Sequence, residues 1–353
     1  MVKKTIIFDA ERMKYHHTGL YHFCLNLGLA ISNSKPVTDD IYFYNHHKNQ
    51  KVFGEDANYL KQYSYQKFLK PRFRRYDIWH ATYQLSSYIP TDRQSKVILT
   101  IHDLNFLKEE KSEDKIKSYL RKLQYNINLS EEIVAISNYV KSDIEKYCEL
   151  GERKVHVIYN GSTIDANRIS KNYQPINERS IFTIGTINRK KNFHILPYLL
   201  LGNDYHLVIS GVVQEEEYKD KILRIARDIG VDKRVLLTGP ISEEEKYERL
   251  SKCSLFVFPS IAEGFGLPVI EAMSFGKKVL LSTYTCLPEI GGTEAYYLES
   301  TTPSYMEDFG RNKLQSLMES PTRENEIKQW AQRFSWHNAA REYWNLYEKM
   351  LNR

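Results

Sequence analysis

The sequence is sparing with the residues that build covalent or metal-held scaffolds. Its four cysteines, Cys24, Cys148, Cys253 and Cys286, lie far apart with no Cys-x-x-Cys spacing, so neither a disulfide framework nor a structural zinc site is suggested. Reduced, mostly buried thiols are expected. Long hydrophobic runs are also missing. The opening segment, Met1 to Asp9, carries two lysines and only a very short apolar run, too short for a signal peptide or a bilayer span. No internal repeat, low-complexity segment or block of like charge occurs, which argues against a disordered tail.

What remains has an ordinary globular composition, 42% hydrophobic and 27% charged, enough for a sizeable core. At 353 residues the chain exceeds the size at which one core keeps growing, so two domains with a cleft between them are expected. The formal net charge of +6 suits an anionic ligand, an acidic membrane surface or nucleic acid. Its distribution is uneven: Lys61 to Tyr76 holds six basic residues (Lys61, Lys67, Lys70, Arg72, Arg74, Arg75), five aromatic ones and no acidic one. This stretch fits either an anionic leaflet, where cations and rings favour the headgroup zone, or a solvated loop. No nucleic-acid recognition motif accompanies it.

Short β-branched runs alternate with longer helical stretches, the pattern of parallel βαβ units. Strands are expected at Thr5–Phe8, Ile41–Tyr44, Ile78–His80, Val97–Ile101, Ile133–Ile136 and Val155–Tyr159. After a polar stretch, Asp165 to Arg179, they resume at Ser180–Ile184, His206–Ser210, Val235–Thr238, Leu255–Phe258 and Lys278–Ser282. Domains at 1–168 and 169–336 follow, with a closing helix near 337–353 returning to the first. Ser137 and Ser242 stand where helix caps are needed. The aromatic tail, Trp330, Phe334, Trp336, Tyr343, Trp344 and Tyr347, reads as packing.

One segment carries chemistry. The strand Phe256-Val257-Phe258 runs through Pro259-Ser260 into Glu263-Gly264-Phe265-Gly266-Leu267-Pro268 and then a helix holding Glu271. Glycines 264 and 266 let backbone approach a ligand, and the free N–H groups and positive dipole end of a helix start hold a diphosphate without a metal. Glu263 and Glu271 suit the paired hydroxyls of a sugar and a ribose. The segment resembles the signature of retaining glycosyltransferase family four (glycosyl transferases group 1), in which two glutamates with seven residues between them follow a strand ending in Pro-Ser. That resemblance implies a GT-B fold, α/β with two Rossmann-like lobes whose parallel sheets face an inter-domain cleft. It also implies that Glu263 contacts the donor sugar, Glu271 the ribose, and the amides of Phe265, Gly266 and Leu267 the sugar and phosphate oxygens.

Further stretches are similar to the family in order along the chain. Gly185-Thr186-Ile187-Asn188-Arg189-Lys190-Lys191-Asn192 resembles its Gly-Thr-x-x-Pro-Arg-Lys-Asn loop, placing Lys191 on the lysine that neutralises the diphosphate. Lys190 replaces an arginine and so lacks its bidentate fork, and Arg189 offers a guanidinium beside it. Gly211 and Thr238-Gly239-Pro240 sit at two more strand ends, and Thr285 to Gly292 resembles a later Ser-Leu-Pro-Glu-x-x-Gly element. Near the start, His16-His17-Thr18-Gly19-Leu20-Tyr21 resembles a loop in which Gly19 lets backbone approach diphosphate and acceptor. Asp77-Ile78-Trp79-His80-Ala81 followed by Thr100-Ile101-His102-Asp103-Leu104 looks like the branch containing many bacterial mannosyltransferases, in which His102, after Val97–Ile101 and before Asp103, would lie near the donor sugar. Asp103 could orient its ring or cap the next helix.

The resemblance thus implies a retaining hexosyltransferase with His102, Glu263 and Lys191 as catalytic groups. The donor would be a nucleotide diphosphate sugar, GDP-mannose before a UDP-sugar, and the acceptor a glycan or lipid-linked saccharide of surface polysaccharide or lipopolysaccharide. No Asp-x-Asp pair occurs in the sequence, consistent with metal-independent transfer, and no cofactor besides the co-substrate is expected. A cytoplasmic location is expected, with Lys67, Lys70, Arg72, Arg74 and Arg75 facing the inner membrane surface or the acceptor. The alternatives are a nucleotide-sugar epimerase of the same fold and a catalytically silent nucleotide-sugar-binding scaffold.

Overall fold

The computed structural model describes residues 3–15, 18–36, 39–46, 49, 51–68, 76–91, 95–109, 111–162, 164 and 178–353. The chain divides into two compact units, Met1–Gly161 with Phe334–Arg353, and Ser162–Arg333.

Among the described residues the first unit carries a seven-stranded sheet in the order β3-β2-β1-β4-β5-β6-β7, every neighbouring pair parallel. Its strands are β1 (Lys4–Asp9), β2 (Asp39–His46), β3 (Asn58–Gln62), β4 (Ile78–Ala81), β5 (Lys96–Ile101), β6 (Glu132–Ala135) and β7 (Val155–Val157). Helices on both faces of a parallel sheet require strands that are apolar throughout, and Ile78–Ala81 is buried at every position. β3, Asn-Tyr-Leu-Lys-Gln, is a polar edge strand with no apolar run to announce it. Thr18 caps the helix Gly19–Asn33 by accepting from the Tyr21 amide, and Ser137 caps Asn138–Tyr147 by accepting from that of Val140.

The closing helix, Trp336–Leu351, belongs to this first unit. Its apolar face buries Tyr343, Trp344 and Tyr347, and the Trp344 indole donates to the Ile31 carbonyl at 3.3 Å. A fully buried polar chain fixes it to the sheet: the Tyr347 hydroxyl lies 2.7 Å from His80 Nδ1, His80 Nε2 lies 2.8 Å from Thr100 Oγ1, and the latter lies 2.9 Å from the Tyr343 hydroxyl. Burial, aided by the His102 ring, pushes the His80 pKa down to about 3, so the ring is neutral and the chain carries no charge.

The second unit's sheet runs β10-β9-β8-β11-β12-β13, again parallel throughout. Its strands are β8 (Glu178–Ile184), β9 (His206–Ser210), β10 (Val235–Gly239), β11 (Cys253–Phe258), β12 (Val279–Ser282) and β13 (Tyr296–Leu298). Ile181, Leu207, Ile209, Leu255, Val257 and Leu280 form the centre of its core. The three-residue edge strand β13 is too short to show a period. Strand order reverses between β1 and β4 in the first sheet and between β8 and β11 in the second. Such reversals open a crevice at the carboxyl ends of the strands, where α/β sheets bind ligands.

Candidate functional site

In the second unit, three strands end on bare backbone. Gly185 donates to the Ser210 carbonyl at 3.0 Å and Gly211 to the Gly239 carbonyl at 2.8 Å. Gly211 has φ +142°, and a Cβ there would fall 1.9 Å from the Gly185 carbonyl oxygen, so no other residue fits. A Cβ on Gly185 would fall 3.2 Å from Lys191 Cε, so the glycine makes room for the lysine stem.

Lys191 ends a 3-10 turn, Arg189–Lys191, which Asn192 closes in the left-handed region at φ 58°. The turn is stitched to the end of β11, where the Lys190 carbonyl accepts from the Ile261 amide at 2.9 Å. Ser260 Oγ lies 3.0 Å from that carbonyl and 2.6 Å from Glu263 Oε1, its single proton serving one of them at a time. The Lys191 ammonium meets the same Glu263 oxygen at 2.5 Å and lies over the Phe258 ring at 4.8 Å. Glu263 Oε2 has no protein partner among the described residues, and the Glu263 amide donates to Thr285 Oγ1 at 3.2 Å. This lysine–carboxylate pair therefore spans the β8/β11 reversal.

The glycine loop leads into the helix Leu267–Ser274, with Gly266 at its cap in the left-handed region (φ 100°) and Pro268 in its first turn. Phe265 is buried and its carbonyl accepts from the Cys286 thiol at 3.1 Å. Gly264 is buried beside it. Glu271 is only 7% exposed, and its Oε1 takes the Lys246 ammonium at 3.0 Å, which also meets Glu243 at 3.0 Å. Burial works against the Lys246 charge, but Glu271 and Glu243 outweigh it and hold its pKa above the ordinary value. Lys246 was not singled out in the sequence. Its signal is a lone lysine among Glu243, Glu244 and Glu245 on the face that carries buried Tyr247 and Leu250. Arg189 is exposed and its guanidinium is directed at Glu215, 3.4 Å away.

In the first unit, His102 follows β5 and is buried, its ring edge-on to Phe23 at a centroid distance of 4.5 Å. Nε2 lies 2.8 Å from the Thr82 carbonyl. A carbonyl only accepts, so Nε2 carries the proton and Nδ1 the lone pair. Burial pushes the His102 pKa down to about 4, which leaves the ring neutral at pH 7. The Asp103 carboxylate accepts from the Asn105 amide at 3.0 Å. Gly19 is the first residue of its helix, and a Cβ there would meet nothing within 4 Å among the described residues.

Of the basic stretch, Lys67 ends the 3-10 turn Ser64–Lys67. Tyr63 and Tyr65 stack at 5.6 Å and Phe68 is 87% exposed. Lys70, Arg72, Arg74 and Arg75 lie outside the described residues, as do His16 and His17. Among the described residues no cluster of three His, Cys, Asp or Glu could hold a metal ion, and no helix is long and apolar enough to cross a membrane. A cavity of about 670 Å³ in the first unit lies at the opposite, amino ends of β5 to β7, where Glu132 is already engaged by His156 and Arg353.

Residues 166–333 match the family described as Glycosyl transferases group 1, and residues 31–166 match Glycosyltransferase Family 4. The serotype-specific mannosyltransferase WbdA of Escherichia coli is 31% identical over 241 residues, covering 63% of this chain and 29% of its own. The chain thus spans less than a third of that relative. The O-antigen chain mannosyltransferase B of Escherichia coli is 23% identical over 386 residues, covering 97% of this chain and 99% of its own. Among solved structures, the sucrose-phosphate synthase of Thermosynechococcus elongatus superposes with TM-score 0.73 at 15% identity, covering 99% of this chain and all of that one. Anabaena HepE in complex with UDP-glucose gives TM-score 0.73 at 15% identity over 98% of this chain and 99% of its own.

Proposed function

Because this chain belongs to the group 1 glycosyl transferases and has their GT-B fold, we propose that this glycosyltransferase is a retaining, metal-independent hexosyltransferase. It takes mannose from GDP-mannose, with a UDP-sugar as the second choice of donor, and extends a glycan or lipid-linked saccharide of a surface polysaccharide. The observation that carries this reading is the Lys191–Glu263 pair at the β8/β11 reversal. The mannosyltransferase names of its relatives support the choice of sugar.

Each group has a defined task. Lys191 spends one proton on Glu263 and has two more for diphosphate oxygens, whose charge grows as the glycosidic bond breaks. Glu263 Oε2 accepts from a sugar hydroxyl. Glu271, held in place by Lys246, accepts from the ribose hydroxyls. The amides of Phe265, Gly266 and Leu267 at the helix start take the remaining phosphate oxygens, and Gly185 and Gly211 keep the floor free of side chains. In the first unit Gly19 leaves backbone open to the acceptor, and His102 Nδ1 accepts from a substrate hydroxyl. Lys190 and Arg189 add positive charge around the diphosphate. The bond from the anomeric carbon to the β-phosphate oxygen breaks, and the acceptor oxygen attacks from the same face. The acceptor proton passes to the departing phosphate, so configuration is retained without a protein nucleophile.

Contact with an anionic membrane from the cytoplasmic side is part of the same reading. Phe68, Tyr63 and Tyr65 offer apolar and interfacial surface beside Lys61 and Lys67.

The test is a panel of nucleotide sugars scored by thermal stabilisation, since a ligand selective for the native state raises the melting temperature. Transfer in the presence of EDTA follows, with the product anomer read by NMR. Stabilisation by GDP-mannose and an α-linked product are expected. An inverted product refutes the retaining assignment, and activity abolished by EDTA refutes metal independence.

A further inference from the structure

At the carboxyl ends of the first unit's strands lies a cation with no hydrogen-bond or ion-pair partner among the described residues. Arg12 sits in the 3-10 turn Glu11–Lys14, directly after β1 and so at the β1/β4 reversal. Its Nε is buried and has no hydrogen-bond partner, and its guanidinium makes no hydrogen bond or ion pair to any described residue. That arrangement is unusual, because a buried donor left unpaired costs on the order of 1–3 kcal/mol.

The neighbouring carboxylates are already engaged. Asp9 accepts from the Glu11 amide at 3.1 Å through one oxygen and from the Ser86 hydroxyl at 3.0 Å through the other. Glu11 is paired with Lys14. What holds Arg12 is aromatic: its Cζ lies 4.3 Å from the Tyr83 ring centroid and 4.6 Å from that of Tyr15. Such contacts set the cation against the ring faces and give its N–H donors no hydrogen-bond acceptor. Tyr15 is 46% exposed, so this clamp opens to solvent. Tyr83 follows Thr82, whose carbonyl fixes the His102 ring, so the clamp adjoins the loop that orients His102.

We infer that Arg12 is a substrate-binding residue which receives a phosphoryl group in the plane of its guanidinium, with Tyr15 and Tyr83 holding the fork in place. Two planar N–H donors match two phosphate oxygens. The group comes from one of two sources, the diphosphate of the nucleotide donor or a phosphate that links the acceptor saccharide to its lipid. The inference rests on the glycosyltransferase reading above.

Titration of the full-length protein separates the sources, with GDP and UDP as probes of the donor side and octyl diphosphate as probe of the acceptor side. Arg12→Gln is expected to weaken one probe tenfold or more, Arg12→Lys to recover part of the loss, and Tyr83→Leu to weaken the same probe while keeping the charge. Circular dichroism and urea unfolding of each variant confirm that the fold is retained. Loss confined to the nucleotides assigns Arg12 to the donor, and loss confined to octyl diphosphate assigns it to the acceptor. Binding of all probes by Arg12→Gln within twofold of wild type overturns the inference, as does wild-type protein that binds none of them. Lys191→Ala serves as the separate control: if it binds GDP and UDP as wild type does, the donor-site reading fails regardless of the result at Arg12.

Discussion

Lys191 and Glu263, 72 residues apart in sequence, share one short contact in which a single carboxylate oxygen takes both the ammonium and the Ser260 hydroxyl. The two side chains are 12% and 14% exposed, so each is the main solvation of the other. Removing one leaves a partly buried charge; removing both does not. Lys191→Met and Glu263→Gln are each expected to lower kcat/KM about a hundredfold, on the order of 3 kcal/mol. Each single change costs about 1–2 kcal/mol of stability, and the double variant recovers stability without recovering activity. Urea unfolding beside transfer assays measures the contrast. A double variant as unstable as the sum of the singles would show that the pair is not coupled.

The Lys246–Glu271 contact makes a different prediction, because Lys246 acts through Glu271 and not on the donor itself. In Lys246→Met, Glu271 loses the ammonium 3.0 Å from its Oε1 in a nearly closed environment, so its carboxylate is no longer held in position for the ribose hydroxyls. The donor KM should rise about tenfold with kcat changed little, at a stability cost on the order of 3 kcal/mol. Lys246→Arg should restore most of both. Equal falls in kcat and kcat/KM would place the effect in the chemical step and contradict this role.

Asp9 links stability to pH. Burial first, then the Glu11 charge, raise its pKa from 3.8 to about 7, against the lowering effects of the Glu11 amide, Ser86 and Arg12. The folded value lies above the unfolded one, so the folded state binds the proton more tightly. The associated stability is fully present below about pH 4 and is lost as pH rises through about 7. Asp9→Asn, nearly isosteric, should therefore match wild type near pH 4 and exceed it by about 4 kcal/mol above pH 8. Urea unfolding across this range checks the sign: a constant difference would mean that Asp9 does not titrate on folding.

The parallel sheets were legible because buried strands such as Val97–Ile101 are mostly apolar runs, and observed bounds differ from expected ones by a residue or two, as in Glu132–Ala135 against Ile133–Ile136. β3 and β13 were not, since an edge strand needs no apolar run on both faces. The spacing of Glu263, Glu271 and Lys191 drew attention to them, but not to their partners. Lys191 meets Glu263 across 72 residues and Glu271 meets Lys246 across 25, and only the strand order sets those meetings. Arg12 carried no sequence signal at all: what distinguishes it is a buried Nε with no hydrogen-bond partner among the described residues, which only packing reveals.

His102 supplies the last prediction, through its protonation state. Burial lowers its pKa to about 4, against the raising effect of the Thr82 carbonyl and with a small lowering from the Arg12 charge. Its folded value lies below the usual 6.5, so the native state binds the proton less tightly and stability falls as pH drops from about 6.5 toward 4. Between pH 5.5 and 8 the ring is neutral throughout, donating through Nε2 and accepting through Nδ1. His102 therefore contributes no limb to the pH–rate profile in that window. His102→Gln should lower kcat about ten- to hundredfold, by loss of a positioned acceptor, and leave the profile's shape unchanged. Disappearance of a limb near pH 6.5 in the variant would instead identify His102 as a titrating acid or base.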